Sequence, residues 1–353
     1  MTTDSVKMYI SEKKLIHNVE YLTSAFHKKI IAVVKSNAYG HGINLITETL
    51  YRHGYKNFAV AHLSEAEKIL LNLKLSDSRI LIFGSIEKEK LSFIKNKKAI
   101  NISINSFKEL EDALEIGIPS ERMHLSFDFG FGRSGISFDC LEKIKMFIEK
   151  YNLKFGGIYS HLFSVKYDDG LKIIKKFTEI VEYFGKERFE RIHLQSSVPL
   201  KIFGSLDITT HIRVGTYIYG LQEKGIFDEN LKQVFFLEGK VYEVKNLENS
   251  EYLAYDLKSN LGTGNCRHTV KVKMGYGDGF LKINQKTKCL IKDKLFNIAF
   301  ITMGDTFIEA DSSVKVGDRV IFYPDVLDIC SQFNMSMYEL LTILNVKIER
   351  VLV

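Results

Sequence analysis

The feature that most constrains the fold of this chain is an alternation of short apolar runs with amphipathic stretches over its first two-thirds. The apolar runs are rich in β-branched residues, as buried strands are, and the stretches between them have helical spacing. This alternation predicts parallel strands, because parallel neighbours need a crossover connection. We expect strands at Ile30–Val34, Asn57–Val60, Ile80–Phe83, Ile100–Ile104, Met123–Phe127, Gly157–Ser160, Ile192–Leu194 and Ile212–Val214. We expect helices at Ile43–Tyr51, Ser64–Leu73, Phe107–Gly117, Leu141–Tyr151 and Leu171–Phe184.

The number of these units indicates how the sheet closes. Eight strands with intervening helices favour a closed (β/α)8 barrel, or TIM barrel, over an open doubly wound sheet. After Asp228 the chain becomes rich in strand-like segments. We predict an α/β protein in which residues 1–228 form the barrel and residues 229–353 form a mainly β domain, which roughly the first ten residues could join. The expected strand segments of the second part are Gln233–Val244, Thr269–Met274, Lys288–Ile291, Asn297–Thr302 and Arg319–Tyr323.

Composition excludes several classes of protein. No run of about eighteen apolar residues is present, so we expect no membrane span. The N-terminal segment lacks the apolar core of a signal peptide, and we expect a cytoplasmic protein. The cysteines lie far apart without a CxxC pair, which argues against a metal site or a disulfide framework. They are Cys140, Cys266, Cys289 and Cys330.

The charge of the chain is mildly positive. The 49 basic and 43 acidic residues give a net charge of +6 and are spread along the whole sequence. A nucleic-acid-binding surface would need basic residues concentrated on one recognisable module, and we predict no such partner. A small positive excess suits anionic ligands, including phosphates.

Unusual residues follow the predicted strands, where the chemistry of such barrels is placed. Lys35 ends the first strand, Arg133 follows the fifth, and His161 ends the sixth. Ser197 follows the seventh and residues 213–216 end the eighth. A lysine desolvated beside other cations loses its proton readily and is a candidate for Schiff-base chemistry. Hydroxyl groups and backbone amides suit a phosphate, and an arginine offers fixed donors.

Several of these segments resemble those of one family. AVVKSNAYGHG (32–42) is very similar to the cofactor-lysine signature of alanine racemases. FGFGRSGI (129–136), IYSHL (158–162), IHLQSS (192–197), IRVGTYIYGL (212–221) and MGYGDGF (274–280) resemble later blocks in the family's order. The resemblance implies a barrel that binds pyridoxal 5'-phosphate, a C-terminal β domain, an amino-acid substrate, and a head-to-tail homodimer with shared active sites.

The resemblance also implies roles for individual residues. Lys35 would hold the cofactor as a Schiff base and act as one base, and Tyr276 would be the opposing base, delivered across the dimer. His161 would lie against the pyridine ring and Arg213 would face its nitrogen. Arg133 would contact the phenolic oxygen of the cofactor on the substrate side. Met303 would border the substrate carboxylate. The phosphate would be bound by Tyr39, Ser197, Gly215 and Thr216.

The two-base assignment has a physical reason. Inverting a stereocentre removes the α-proton from one face and returns a proton to the other, so two opposed bases are the simplest arrangement. An unperturbed tyrosine titrates near pH 10, so Tyr276 needs nearby cations or hydrogen bonds, and we expect His161 and Arg213 to take part. An arginine opposite the pyridine nitrogen leaves the cofactor a weak electron sink, which favours racemisation over transamination.

The chain departs from the family at several positions. Ser126 stands where many members carry a carbamylated lysine that orients the arginine, so Arg133 must be held by chloride or by another side chain. Val346 occupies the position that we align with a phosphate-binding tyrosine. Gly304 replaces an aspartate, and Tyr255 is the candidate for a tyrosine at the entrance across the dimer.

These departures leave several functions open. The first is an alanine racemase, with wall building as the implied use of D-alanine. The second is a racemase of serine, lysine or a broad range of amino acids. The third is a non-catalytic barrel that carries the cofactor, which the second base Tyr276 and residues 229–353 disfavour. A decarboxylase of related architecture is the last, and no matching cysteine block supports it.

Overall fold

The N-terminal part of the chain is a closed parallel barrel. The computed structural model describes residues 6–223, 225–247, 250–257, 268–327, 329, 336–344 and 346–353. Within the eight-stranded sheet each strand pairs in parallel with its neighbour, and backbone hydrogen bonds from Thr210 to Ile192 and from Arg213 to Gln195 complete the circle. The barrel strands are β2 (Lys29–Val33), β3 (Asn57–Val60), β4 (Arg79–Ile82), β5 (Ile100–Ile104), β6 (Met123–Phe127), β7 (Phe155–Ser160), β8 (Phe189–His193) and β9 (His211–Val214). The predicted barrel is confirmed, with strand ends within a few residues of those expected.

Helices surround this barrel and follow ordinary capping rules. Before Phe107–Ile116, the Ser106 hydroxyl accepts a hydrogen bond from the Glu109 amide at 3.1 Å, and Gly117 ends the helix with φ of 83°. The helices are α1 (Glu12–Phe26), α2 (Lys35–Tyr39), α3 (Ile43–Arg52), α4 (Leu63–Asn72), α5 (Lys88–Lys95), α6 (Phe107–Ile116), α7 (Leu141–Tyr151), α8 (Tyr167–Phe184), α9 (Ser197–Phe203) and α10 (Met337–Thr342). Sequence reasoning did not predict α1, α2, α9 or α10.

The C-terminal part is an antiparallel sheet that also takes in the first strand of the chain. β1 (Lys7–Ile10) pairs antiparallel with β10 and parallel with β18. The remaining strands are β10 (Phe235–Asn246), β13 (His268–Val272), β14 (Lys288–Ile291), β15 (Lys294–Ile301), β16 (Thr306–Ala310), β17 (Arg319–Phe322) and β18 (Glu349–Leu352), with a small hairpin of β11 (Tyr252–Leu253) and β12 (Asp256–Leu257). The order in the sheet is β13-β16-β15-β14-β17-β10-β1-β18.

The barrel interior contains polar side chains as well as apolar ones. β5, β6 and β7 are buried along their whole length, which is expected for parallel strands covered on both faces. Asn101 on β5, His124 on β6 and His193 on β8 are buried in the barrel and lead towards Arg213 at the carboxyl end of β9.

Two sequence expectations about the rest of the chain are tested only in part. Cys140 and Cys289 are free thiols, whereas Cys266 and Cys330 lie outside the described residues. None of the described helices is both long enough and apolar enough to span a membrane.

The position of β1 generates a stability prediction. Met8 is completely buried between β10 and β18. Met8→Ala should lower the free energy of unfolding by about 2–5 kcal/mol, because it leaves a cavity in the sheet's core. Urea unfolding would measure this, with Lys13→Ala on the exposed face of α1 as the control. An unchanged midpoint for Met8→Ala would show that β1 does not join the sheet in solution.

Candidate active site

Lys35 opens a segment with unusual backbone geometry. Ser36, Asn37, Ala38 and Tyr39 have φ values of 52°, 55°, 55° and 52°, so α2 is a left-handed helical turn. This conformation costs an L-residue roughly 1–2 kcal/mol, and runs of it are rare outside glycine. Strain of this kind persists only where the surroundings fix it, and it concentrates at functional sites. Sequence reasoning missed this turn, since none of the four residues is a glycine.

Specific contacts hold the left-handed turn. The Ser36 amide donates to the Glu65 carboxylate at 2.5 Å. The buried His41 ring stacks on Tyr219 with 4.4 Å between centroids, and its Nδ1 lies 2.9 Å from the Ala38 carbonyl oxygen. Burial lowers the pKa of His41 to about 4, so the ring is neutral, and its Nδ1 must carry the hydrogen that this oxygen accepts.

The amine of Lys35 lies in an electropositive, partly buried position. Burial lowers the pKa of Lys35, and the charge of Arg133 lowers it further, while Glu65 opposes both. A lowered pKa increases the fraction of neutral amine at a given pH. Lys35 is therefore suited to nucleophilic attack on a carbonyl and to accepting a proton.

The turn carries Tyr39 to the end of β9. A Cβ atom on Gly215 would lie 2.4 Å from the Tyr39 hydroxyl oxygen, so only glycine permits this approach. The Ser197 hydroxyl accepts a hydrogen bond from the Tyr217 amide at 3.4 Å, and Thr216 opens the 3-10 turn beside it. The structure thus brings together the four residues predicted to bind a phosphate.

Tyr338 also belongs to this group, and sequence reasoning missed it. Its ring packs edge-on against Tyr39 with 6.3 Å between centroids. Val346, at the position that we align with a phosphate-binding tyrosine, is 73% exposed. The tyrosine of this block that contacts Tyr39 is Tyr338, in the first turn of α10.

Arg213 is fixed in a single orientation. Nη1 donates to the His193 carbonyl oxygen and to His193 Nδ1, both at 2.8 Å. Nη2 donates to the carbonyl oxygens of Ser160 at 2.7 Å and Leu194 at 3.1 Å. These bonds use all four Nη hydrogens, so Nε–H is the donor left for a ligand. Burial lowers the pKa of Arg213 to about 10, and the group stays a cation at neutral pH.

His161 lies among these cations and is neutral. Burial lowers its pKa to about 3, and the charges of Arg213, Arg133 and Lys35 contribute. Any part that it takes at Tyr276 would therefore be through a hydrogen bond and not through a positive charge.

Arg133 is held by an aromatic side chain. Its guanidinium lies over the ring of Phe131 at 4.7 Å, and Phe131 in turn contacts His161 and Phe163, each with 5.2 Å between centroids. Within the described residues Arg133 makes no hydrogen bond or ion pair. Ser126 is buried in β6. Among the described residues, the side chain that contacts the Arg133 guanidinium is thus Phe131, from the same loop.

Asp128 fixes the loop that presents this pair. Its carboxylate accepts hydrogen bonds from the amides of Gly130, Phe131 and Gly132 at 2.7–2.9 Å. The aspartate folds the loop back on itself, which sets the direction of both Phe131 and Arg133.

Tyr276 and Met303 lie next to each other in the C-terminal part of the chain. The amides of Tyr276 and Gly277 donate to the carbonyl oxygens of Thr302 and Met303 at 3.0 and 2.9 Å. Tyr276 is 38% exposed and Met303 is 65% exposed. Across the described residues no hydrogen bond, ion pair or ring contact joins either residue to Lys35 of the same chain.

A cation that sequence reasoning missed accompanies Tyr276. The Lys282 ammonium lies 5.6 Å from the centre of the Tyr276 ring and 5.7 Å from that of Phe300. Tyr255, which is 85% exposed, contacts the same Phe300 ring at 6.4 Å. Phe300 therefore contacts both Lys282 and Tyr255, and Lys282 also lies over the Tyr276 ring. As for metals, the described part of the chain holds no cluster of three metal-ligating side chains.

Comparisons with known proteins agree with this arrangement. The profile described as alanine racemase, N-terminal domain, matches residues 10–223, and that described as alanine racemase, C-terminal domain, matches residues 234–352. The alanine racemase of Fusobacterium nucleatum subsp. nucleatum is 27% identical over 363 residues, and that of Aquifex aeolicus is 29% identical over 353 residues. Both alignments cover 98% of each chain.

Solved structures share the fold. The alanine racemase of Clostridium difficile 630 superposes with a TM-score of 0.85 at 22% identity, covering 100% of this chain and 97% of that one. The Bartonella henselae alanine racemase with covalently bound pyridoxal phosphate gives 0.81 at 19% identity and covers 100% of both. Because the two profiles together span nearly the whole sequence, the chain belongs to the alanine racemase family.

Proposed function

We propose that this chain is a pyridoxal-phosphate-dependent racemase that interconverts L-alanine and D-alanine, with Lys35 and Tyr276 as the two bases. The observation that carries the proposal is that Lys35, a partly buried amine of lowered pKa, follows β2, whose neighbour β9 carries Arg213 and leads into Gly215. Family membership supports the reaction, and the Bartonella henselae relative holds pyridoxal phosphate covalently.

The residues at the barrel mouth fit pyridoxal phosphate. The hydroxyls of Tyr39, Ser197 and Tyr338 and the amides at Gly215 and Thr216 would hold the phosphate. Arg213 would offer Nε–H to the pyridine nitrogen, and His161 would lie against the ring. When bound to Lys35, the cofactor supplies a conjugated system that delocalises the charge left on the α-carbon.

The protein's own groups move the protons. Lys35 would take or return the α-proton on one face, and its lowered pKa favours this role at neutral pH. Tyr276 would act on the other face. The Lys282 ammonium lies 5.6 Å from the centre of the Tyr276 ring, so a cation borders the proposed second base.

The assignment of Lys35 and Tyr276 as the two bases requires a homodimer. Tyr276 and Lys35 lie on different parts of one chain, so a complete site needs Tyr276 from a second copy. Tyr276, Met303 and Tyr255 expose large side chains on the C-terminal part, and Phe131 exposes one at the barrel mouth. Such surfaces mark protein contacts. We propose a head-to-tail dimer built from a barrel domain of residues 1–228 and a β domain of residues 229–353. A cytoplasmic location stays a prediction.

Arg133 and Met303 would bind the substrate carboxylate from opposite sides of the dimer. The guanidinium offers paired donors to a carboxylate. Phe131 holds it in place by a cation–π contact, a type of interaction worth about 0.5–2 kcal/mol.

One observation favours a second candidate, a racemase of larger or polar amino acids. A Cβ atom on Gly304 would meet no atom within 4 Å, so the side chain missing there leaves open space beside Met303. The substrate pocket would then accept more than a methyl group.

Incubation with single L-amino acids separates these candidates. Cofactor-loaded protein should convert L-alanine to D-alanine, measured by chiral chromatography, and Lys35→Ala should lose both this activity and the absorbance of the lysine-bound cofactor. If serine or lysine were converted faster than alanine, that amino acid would be assigned as the substrate instead. No D product from any amino acid would refute the racemase assignment.

Tyr276→Phe tests the second base. The variant should keep the bound cofactor, because Tyr276 lies outside the barrel's cofactor cradle. Removal of the α-proton from one enantiomer should slow by about 10²–10⁴-fold. Exchange of that proton for deuterium, followed by NMR for each enantiomer, measures the effect. Tyr252→Phe, which is also exposed on the C-terminal part, is the control. Unchanged exchange on both enantiomers in Tyr276→Phe would contradict the two-base mechanism.

Phe131→Leu tests how Arg133 is held. Loss of the ring should raise KM for alanine about three- to tenfold with little change in kcat, because Arg133 contacts the carboxylate before and during reaction. Phe131→Tyr should retain wild-type KM. Phe138→Leu, in the same segment but away from Arg133, is the matched control. Equal KM values for Phe131→Leu and the wild type would assign the orientation of Arg133 to another group.

A further inference from the structure

A buried row of polar side chains runs from inside the barrel to Arg213. Asn101 on β5, His124 on β6 and His193 on β8 are each at most 1% exposed. Asn101 Nδ2 lies 3.3 Å from His124 Nε2, and His124 Nδ1 lies 3.0 Å from His193 Nε2. His193 Nδ1 then receives the hydrogen bond from Arg213 at 2.8 Å.

Chemistry fixes the direction of every bond in this row. Arginine only donates, so His193 Nδ1 must accept. Burial and the charge of Arg213 hold the pKa of His193 well below its usual value, so the ring is neutral and its one hydrogen is on Nε2. That hydrogen is donated to His124 Nδ1. Burial likewise keeps His124 neutral, and its hydrogen must be on Nε2, facing Asn101.

At the end of the row, His124 Nε2–H needs a hydrogen-bond acceptor, but the Asn101 amide nitrogen faces it. His124 Nε2–H cannot donate to the Asn101 amide nitrogen, which is itself a donor. The Asn101 carbonyl oxygen is buried and has no hydrogen-bond partner in its present position. Turning the amide by 180° places this oxygen opposite His124, and the two ends of an amide are assigned only by such arguments. One rotation thus removes both conflicts.

The surrounding backbone is shaped for the His124 ring. A Cβ atom on Gly157 would lie 2.4 Å from His124 Nδ1, and one on Gly156 would lie 3.3 Å from Nε2. Glycine weakens a strand interior and marks places where another group approaches the backbone closely. The glycine pair of β7 therefore admits this ring at the point where both its nitrogens form hydrogen bonds.

The Tyr159 ring completes the packing around His193. Tyr159 stacks on His193 with 4.9 Å between centroids and 7° between planes, and it also lies under Arg213 at 5.1 Å. The Ser103 hydroxyl donates to the Ile82 carbonyl oxygen at 2.7 Å, so it accepts from the Tyr159 hydroxyl, 2.7 Å away. Tyr159 is thereby fixed as a donor and holds the His193 ring flat.

We propose that Asn101 and His124 are positioning residues for Arg213, acting through His193 in a hydrogen-bond chain of one fixed direction. His193 supplies two of the four acceptors of the Arg213 Nη groups, so the tautomer of His193 decides where Nε–H points. With the chain intact, Arg213 presents a single donor to the ring nitrogen of the cofactor. This inference rests on the proposed function for its catalytic consequence, and on the buried geometry alone for its tautomers.

The tautomers are measurable without substrate or cofactor. Long-range proton–nitrogen NMR of protein labelled at histidine should show both His124 and His193 as neutral Nε2–H tautomers throughout pH 6–9. A hydrogen on Nδ1 of either ring, or protonation of either ring in this range, would overturn the chain's direction. Because this test needs neither variants nor activity, failure of the racemase assignment would not affect it.

Asn101→Leu tests the positioning role. The variant leaves His124 Nε2–H without an acceptor, and the His193 resonances should shift with those of His124. In the loaded enzyme we expect kcat to fall about three- to tenfold at similar KM. Pyruvate released per racemisation event should rise, because a loosened Arg213 allows the ring nitrogen to protonate and strengthens the electron sink.

A matched substitution separates positioning from stability. Asn18→Leu removes another fully buried asparagine, which bonds Ile218 and Lys232 far from the row. It should lower the melting temperature without changing the histidine tautomers or the pyruvate ratio. An Asn101→Leu enzyme that behaves like Asn18→Leu in all three measurements would overturn the proposal.

Discussion

The close packing of the C-terminal segment against two loops is the constraint on which the site depends. A Cβ atom on Gly40, at φ of 87°, would lie 2.2 Å from the Leu341 carbonyl oxygen. A Cβ atom on Gly279, at φ of 84°, would lie 2.2 Å from that of Ile343. Gly40 ends the left-handed turn after Lys35, and Gly279 ends the turn that starts at Tyr276. One short stretch of chain therefore fixes both loops at once. Because both glycines have positive φ as well as no room for a side chain, substitution at either would disturb the two loops together. The two proposed bases are thus tied to one piece of structure, although they serve different sites of the proposed dimer.

The barrel and the C-terminal sheet contribute different things to this arrangement. The barrel provides rigid, desolvated positions, and burial acts on each titratable group placed there: it lowers the pKa of Lys35 and keeps His161 and His193 neutral. The C-terminal part provides Tyr276 and Met303, which are exposed. Rigid elements hold a site more precisely than loops do, and Arg213 and His193 lie on barrel strands.

Sequence reasoning predicted the barrel strands because parallel, doubly covered strands appear as short β-branched runs at regular spacing. It placed Lys35, Tyr39 and Arg213 at one barrel mouth because residues that follow such strands must meet there. It could not predict the left-handed turn at residues 36–39, since its cost is repaid by tertiary contacts from Glu65 and His41 rather than by local propensity. The first ten residues were expected as a possible addition to the β domain, but the strand β1 was not predicted, because a four-residue strand gains its stability from neighbours distant in sequence. Tyr338 was missed because its contact with Tyr39 joins residues from opposite ends of the chain, which no local sequence pattern reveals.

The positive charge at the barrel mouth explains why its cations need stabilising contacts. Lys35, Arg133 and Arg213 gather at one mouth; burial lowers the pKa of both Lys35 and Arg213, and the charge of Arg133 lowers both further. Like charges in a desolvated pocket repel, and an unpaired buried charge is costly. The protein offsets part of this with Glu65, with carbonyl oxygens around Arg213 and with the Phe131 ring beneath Arg133. Carbonyl oxygens and a ring stabilise a cation without neutralising it. The remaining positive field is available to anionic ligands, so a phosphate and a carboxylate would bind by completing the electrostatics of the folded site. A ligand that binds the folded site stabilises the native state, and a tighter ligand stabilises it more. Cofactor binding is therefore coupled to the stability of the barrel mouth.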